Sequence, residues 1–304
     1  MFRNKHISIV FAVVLMLLWG TVLCYGREAG PYAWWGLMVF GIAGVVSFTI
    51  CFIVILIRVF KKRSIGKHIC ILLMISLVSA WPGGWFLGIG QIAYPADPHS
   101  VKPAVSIRSP FHQPAIIAWG GDTLKDNYHV WLPAERWAYD IFAKPAVIDS
   151  QRLEDYGIYG AEIVAPISGT IVGAYDREKD ITPGAHQFKS MLGNYLFIRI
   201  EKTGTYLVLA HLKQDSMKVR EGDVVKEGTP IARAGNSGMS SEPHLHIHHQ
   251  RQNPNQVLLL AEGLPLFFRD IDGPSMPKGG GDRLEDGVRI PNGQQISPRV
   301  MTIR

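Results

Sequence analysis

The sequence predicts an all-β antiparallel sandwich preceded by three transmembrane α-helices. Two observations carry this reading. Long apolar runs are confined to residues 1–94, and between residues 160 and 270 short period-two segments alternate with turn residues, with no helical period of useful length.

Charge divides the chain at the same place. Residues 1–94 hold eight Lys/Arg against Glu28 alone, a balance of +7, whereas the remainder holds 23 basic and 24 acidic residues, a balance of −1. The basic character therefore reports membrane topology and gives no support for nucleic-acid binding. Cys24, Cys51 and Cys70 all lie in apolar runs, so the polar two-thirds has neither a disulfide scaffold nor a thiolate zinc site.

The membrane part covers residues 1–94, with spans expected at 7–25, 32–57 and 69–94. The first run is 19 residues long, close to the roughly 20 that a spanning helix needs. No A-x-A-like site precedes Arg27, so the helix is read as retained rather than cleaved. Five Lys/Arg fall within the eleven residues from Arg58 to His68. The positive-inside rule places that loop and the N-terminus in the cytoplasm, and everything after Tyr94 outside. Gly84-x-x-x-Gly88 has the spacing of a close helix–helix contact.

Residues 95–124 begin with five prolines between 95 and 114 and read as an extended stalk or the first wrap of a domain. Residues 125–270 form the β domain. Strands are expected within Glu162–Tyr175, at Asn194–Glu201 and Thr205–Leu212 around Lys202-Thr-Gly, and within Val219–Ala234. Leu264–Phe268 is a last strand, at an edge because of Pro265. From Gly273, residues 271–304 are rich in Gly, Pro and charge and are expected to be loosely ordered.

The stretch with chemistry is G-N-S-G-M-S-S-E-P-H-L-H-I-H-H-Q, residues 235–250. A turn-rich loop ends at Pro243, and His244, His246 and His248 then alternate with Leu245 and Ile247. Period two puts three imidazoles on one strand face, where they serve either a metal or catalytic site or simply a water-facing edge.

Three ordered segments, L-V-L-A-H-L (207–212), V-R-E-G-D-V-V-K-E-G-T-P-I-A (219–232) and G-N-S-G-M-S-S-E-P-H-L-H-I (235–247), resemble the lysostaphin/LytM-type zinc metallopeptidases of bacterial cell-wall metabolism. A-P-I-S-G-T-I-V (165–172) and G-N-Y-L-F-I-R-I (193–200) fit as well. The resemblance implies a lysostaphin-type, barrel-sandwich-hybrid-like domain holding one Zn2+. It also implies a bacterial enzyme cutting peptidoglycan stem peptides or cross-bridges, while the apolar runs and loop charges, which lie outside the resemblance, give a multi-pass membrane protein with its C-terminal domain outside the cell. On it, Asp140 and His246 are metal ligands and His211 and His244 are catalytic; beside these, Asn194 and His248 are candidates to face substrate, with His248 alternatively a simply solvated residue.

One position departs. Four residues before Asp140, where the family has a ligand His, stands Arg136. A guanidinium has no lone pair for a metal. His129, eleven residues before Asp140, is the replacement ligand this reading proposes, with His112 and His186 as weaker substitutes. The alternative is an Arg136–Asp140 salt bridge across an empty pocket, in a catalytically degenerate member that binds wall or activates another hydrolase. The three helices also leave room for a regulatory membrane partner. A biotinyl- or lipoyl-like carrier is disfavoured, because A-H-L and H-L-H stand where a carrier needs its lysine hairpin.

Overall fold

The apolar N-terminal runs are helical in the computed structural model, which describes residues 3–146, 149–286 and 288–299. Helix α1 (Arg3–Gly20) continues as a π-helical turn, Thr21–Tyr25, and α2 covers Ala29–Phe60. Helix α3 (Lys67–Ala80) continues as a 3-10 segment, Trp81–Leu87. All three are long and apolar enough to cross a membrane. The third ends earlier than the expected 69–94. Pro82 enters the 3-10 segment and Gly88, with φ of 69°, caps it in the left-handed region.

The close approach of α2 and α3 is not at the expected Gly84-x-x-x-Gly88. A Cβ on Gly41 would lie 2.2 Å from the Gly83 nitrogen, and one on Gly44 would lie 2.6 Å from the Ala80 nitrogen. At Gly84 the nearest neighbour is the local Ile89. Near this contact, at one end of the helices, Trp19 stacks on Trp81, and Trp34 packs against Trp85 in the buried core of the helical unit.

The chain divides by internal contacts into Met1–Ala96 and Asp97–Arg304. The second unit contains β1 (Val105–Ile107), β2 (Ala115–Trp119), β3 (Tyr139–Phe142), β4 (Glu162–Val164), β5 (Gly169–Tyr175), β6 (Asn194–Ile200), β7 (Tyr206–Leu212), β8 (Val224–Val225) and β9 (Pro230–Arg233). These are followed by β10 (Leu245–Gln250), β11 (Leu266–Phe268), β12 (Ile271–Asp272), β13 (Asp282–Glu285), β14 (Val288–Pro291) and β15 (Gln295–Pro298). Nine of them form one antiparallel sheet in the order β12-β15-β2-β3-β10-β7-β6-β5-β8. The pairs β1–β11 and β4–β9 add the residues that complete the core, among them Ile107, Ile163, Ile231 and Leu266.

Two expectations need correction. The tail from Gly273 is not loosely ordered where it is described: β13 and β14 form a hairpin, and β15 pairs with β2 in the large sheet. Residues 300–304 lie outside the described residues. Leu266–Phe268 is not the last strand, and it pairs in parallel with β1. Backbone pairing and the buried Ile271 and Ile296 order a segment whose composition alone reads as polar.

Strand β10 holds the middle of the sheet, not a water-facing edge. Leu245 and Ile247 are fully buried in the core, each worth roughly 1.5–3 kcal/mol on complete burial. That burial fixes the register and turns His244, His246 and His248 to the opposite face.

Candidate metal centre

Strand pairing builds the site. In the β3–β10 register Asp140 stands directly opposite His246, which brings His246 Nδ1 to 3.0 Å from Asp140 Oδ1. His129 arrives from a 3-10 turn (Tyr128–Trp131) in which its own amide donates to the Asn127 side chain. Its Nε2 lies 3.5 Å from Asp140 Oδ2. One ligand atom each from His129, Asp140 and His246 fall within 4.8 Å of one another.

The proton positions follow from the partners. Asn127 donates its amide hydrogens to Gly121 O and Ala138 O, so its Oδ1 accepts from His129 Nδ1–H at 2.9 Å. His129 Nε2 is then bare and faces Asp140.

His211 and His244 flank this trio. Between Asn194 and Leu196, strand β6 advances two residues while β7 moves three, from Leu212 to Leu209. This bulge holds His211 at a φ of 60°, a left-handed conformation that a non-glycine residue adopts at some cost. The His211 ring then lies 4.7 Å from that of His244. Its Nδ1–H donates to Ser237 O at 2.8 Å, and His244 Nδ1–H donates to Glu242 O at 2.7 Å. Both rings present a bare Nε2, that of His244 3.6 Å from Asp140 Oδ1. They open on a groove of about 380 Å³ walled by Trp119, Tyr128, Phe142 and Phe188.

The charged groups are strongly biased. Burial alone would raise Asp140, but the imidazoles of His129, His244 and His246 outweigh it and hold the carboxyl well below its ordinary range. Burial pushes His129 down to about 3 and His211 well below its usual value, so both are neutral at pH 7 with lone pairs available. Burial also opposes charge on His246, yet its hydrogen bond to Asp140 raises it overall.

The remaining expected site residues are placed differently. Arg136 does not bridge Asp140. Its guanidinium is buried, bonds Asp122 Oδ1 at 2.7 Å and lies over the Trp137 ring. Asn194 is wholly buried and does not face the groove. It accepts from the Glu178 amide and donates to Glu178 O and Leu212 O. His248 is likewise buried, behind His246. His186 lines the groove, whereas His112 stands beside Arg108 and Glu227.

Tyr128, Glu135 and Glu242 escaped the reading of the sequence. Tyr128 donates its hydroxyl to Asp140 Oδ2 at 3.2 Å and stacks on His129. Its adjacency to His129 was the available signal. Glu135 offers a carboxylate oxygen within 4.8 Å of ring nitrogens of His246 and His248. Glu242 lines the groove, and its Oε2 is buried without a hydrogen-bond partner among the described residues. Its place just before Pro243-His244 gave no chemical cue.

Burial, helped by Asp282, raises Glu242 to about 7. The folded state therefore holds this proton more tightly than the unfolded chain, and stability falls as pH rises from about 4.5 through 7. Glu242→Gln is expected to remove that slope. In chelator-treated protein the variant should gain about 2 kcal/mol over the parent between pH 5 and 8, allowing for partial solvation. Denaturant titrations at the two pH values check this, and an unchanged difference contradicts it.

Residues 155–257 match the model of peptidase family M23. The matched span includes His211, His244 and His246 but neither His129 nor Asp140. No curated protein matches the chain. Among solved structures, the lysostaphin catalytic domain from Staphylococcus simulans is 22% identical, covering 42% of this chain and 84% of its own, with a TM-score of 0.26. A zinc containing peptidase from Vibrio cholerae is 23% identical over 47% of this chain and 35% of its own, TM-score 0.29. The SpoIIQ–SpoIIIAH pore forming complex gives 17% identity, 53% and 89% coverage and a TM-score of 0.33. Against longer lysostaphin chains the alignment spans 36% and 48% of their length.

Proposed function

From a chain that carries a peptidase family M23 domain over residues 155–257, we propose a membrane-anchored zinc metallo-endopeptidase that hydrolyses peptide bonds in peptidoglycan stem peptides or cross-bridges. The observation that carries this reading is the convergence of His129, Asp140 and His246. Adjacent ligands about 2.0–2.1 Å from a tetrahedral zinc stand roughly 3.3 Å apart. The 3.5 Å and 3.0 Å separations of Asp140 from His129 and His246 fit that set. The donors fit as well: two imidazoles and a carboxylate, with Asp140 itself lining the groove.

Zinc held by His129, Asp140 and His246 would supply a water of lowered pKa and polarise the scissile carbonyl. The chain's own groups do the rest. His211 and His244, anchored through Nδ1–H, offer bare Nε2 atoms that accept and return the proton. Tyr128 keeps its hydroxyl proton, since desolvation of that group and Asp140 both raise it, and gives its one hydrogen to Asp140 Oδ2, which orients the carboxylate. Phe142, Phe188 and Trp119 limit water around the substrate. The basic loop between α2 and α3 supports an orientation with this domain on the outer side of the membrane.

The test uses the full chain in detergent. Purified protein should hold one zinc and cleave cross-linked wall peptides. His211→Ala should keep the zinc and lose on the order of 10²–10⁴ in rate. A parent without zinc, or a His211→Ala variant as fast as the parent, refutes the proposal.

A further inference from the structure

Behind the metal-facing side of His246 runs a chain of hydrogen bonds along the same strand face. His246 Nε2 lies 2.9 Å from His248 Nδ1, and His248 Nε2 lies 3.0 Å from Gln250 Oε1. At its end, Gln250 Nε2 donates to Gln252 O at 2.8 Å and Val257 O at 2.9 Å. All three side chains are buried.

The hydrogens can be assigned from the far end. Backbone carbonyls only accept, so both amide hydrogens of Gln250 are committed and its Oε1 must face His248. That oxygen accepts, so His248 carries its proton on Nε2. A neutral imidazole has one N–H, which leaves His248 Nδ1 bare and able only to accept from His246 Nε2–H. With Nε2–H committed to His248, His246 Nδ1 faces Asp140 Oδ1 and makes its hydrogen bond there only as the doubly protonated imidazolium. Two acceptors 3.0 Å apart repel unless a proton or a cation stands at that nitrogen.

We infer that His248 and Gln250 are positioning residues that hold His246 in the Nε2–H tautomer and thereby make its Nδ1 the ligand atom. His129 gets the same service from one neighbour, Asn127, while His246 receives it through a relay of two. The cluster of Glu135, His246 and His248 also has ligand spacing. A cation there would need His246 bare at Nε2, and with Nδ1 occupied that is an imidazolate. The Gln250 orientation favours the relay over a second ion.

The metal role of His246 rests on the proposed function, whereas the proton positions do not, and the experiment separates them. Full chain with 15N-labelled histidine, in detergent, is measured by long-range 1H–15N NMR with and without zinc. His248 should be Nε2–H in both states. Nδ1–H at His248 overturns the inference whether or not the parent binds zinc.

Zinc affinity, read by competition with a chromophoric chelator, gives the second arm. His248→Gln keeps an oxygen to accept from His246 and an amide to donate to Gln250, and should stay within about threefold of the parent. His248→Leu should weaken zinc about 10–100-fold, the usual cost of losing an outer partner of a metal-bound histidine. Gln250→Leu should weaken zinc in the same way, because it leaves nothing to accept from His248. A folded His248→Leu or Gln250→Leu variant that binds zinc like the parent overturns the relay. A parent that binds no zinc but shows His248 as Nε2–H refutes the hydrolase and leaves the relay standing.

Discussion

Asp140→Ala is expected to abolish stoichiometric zinc binding and reduce peptide cleavage to background. Its carboxylate is the one anionic member of the trio and lies beside four other side chains of the site. Oδ1 is 3.0 Å from His246 and 3.6 Å from His244, and Oδ2 is 3.5 Å from His129 and 3.2 Å from Tyr128. Without it, two neutral imidazoles remain, and a divalent ion loses the charge that offsets its desolvation. A loss of at least about 10³ in affinity follows if the carboxylate supplies some 4 kcal/mol. The metal-free fold should suffer less. Burying Asp140 is itself costly, so its removal relieves part of what the lost hydrogen bonds contributed, leaving a net cost on the order of 1–3 kcal/mol. Elemental analysis and chelator competition decide, and a variant that keeps its zinc contradicts the assignment.

The second large effect concerns stability, at the position where the family has a ligand histidine. Arg136 is buried, while its partner Asp122 is 42% exposed. The two halves of this pair are therefore not equivalent. Asp122→Ala leaves a buried guanidinium without that carboxylate and is expected to cost about 3 kcal/mol or more, whereas Arg136→Leu leaves a carboxylate that water can reach and should cost less. Arg136→His restores the family's H-x-x-x-D spacing, yet it should bind zinc no more tightly than the parent. The side chain at 136 runs toward Asp122 and Trp137, and it is His129 that stands beside Asp140. Urea unfolding and zinc affinity of the three variants check the set. A gain in zinc affinity for Arg136→His would place position 136 in the site after all. Asp122 also accepts from Trp137 Nε1 at 2.8 Å, so the pair pins the segment leading into β3, and Asp122→Ala should loosen zinc as well.

Much of this architecture is local and therefore legible. The span lengths, the charge difference across residue 94 and the period-two histidines each depend on residues close in sequence. The endings were less so. Helical residues in the third run stop at Leu87 because a proline and glycines permit the tighter 3-10 turn. The tail carries few apolar residues, and its order comes from pairing with β2, a strand some 180 residues earlier.

By itself the sequence determined that three apolar helices precede a β domain, and that His244, His246 and His248 share one face of a strand, because strand geometry alternates whatever the strand packs against. Tertiary structure decided what each of those imidazoles does. His246 meets Asp140 across 106 residues, His211 is turned inward by a bulge, and His248 is sealed behind His246 rather than facing the groove. It also decided that His129, not residue 136, reaches the centre. That choice depends on which way a capped turn and a buried ion pair aim their side chains, and spacing along the chain carries no record of direction.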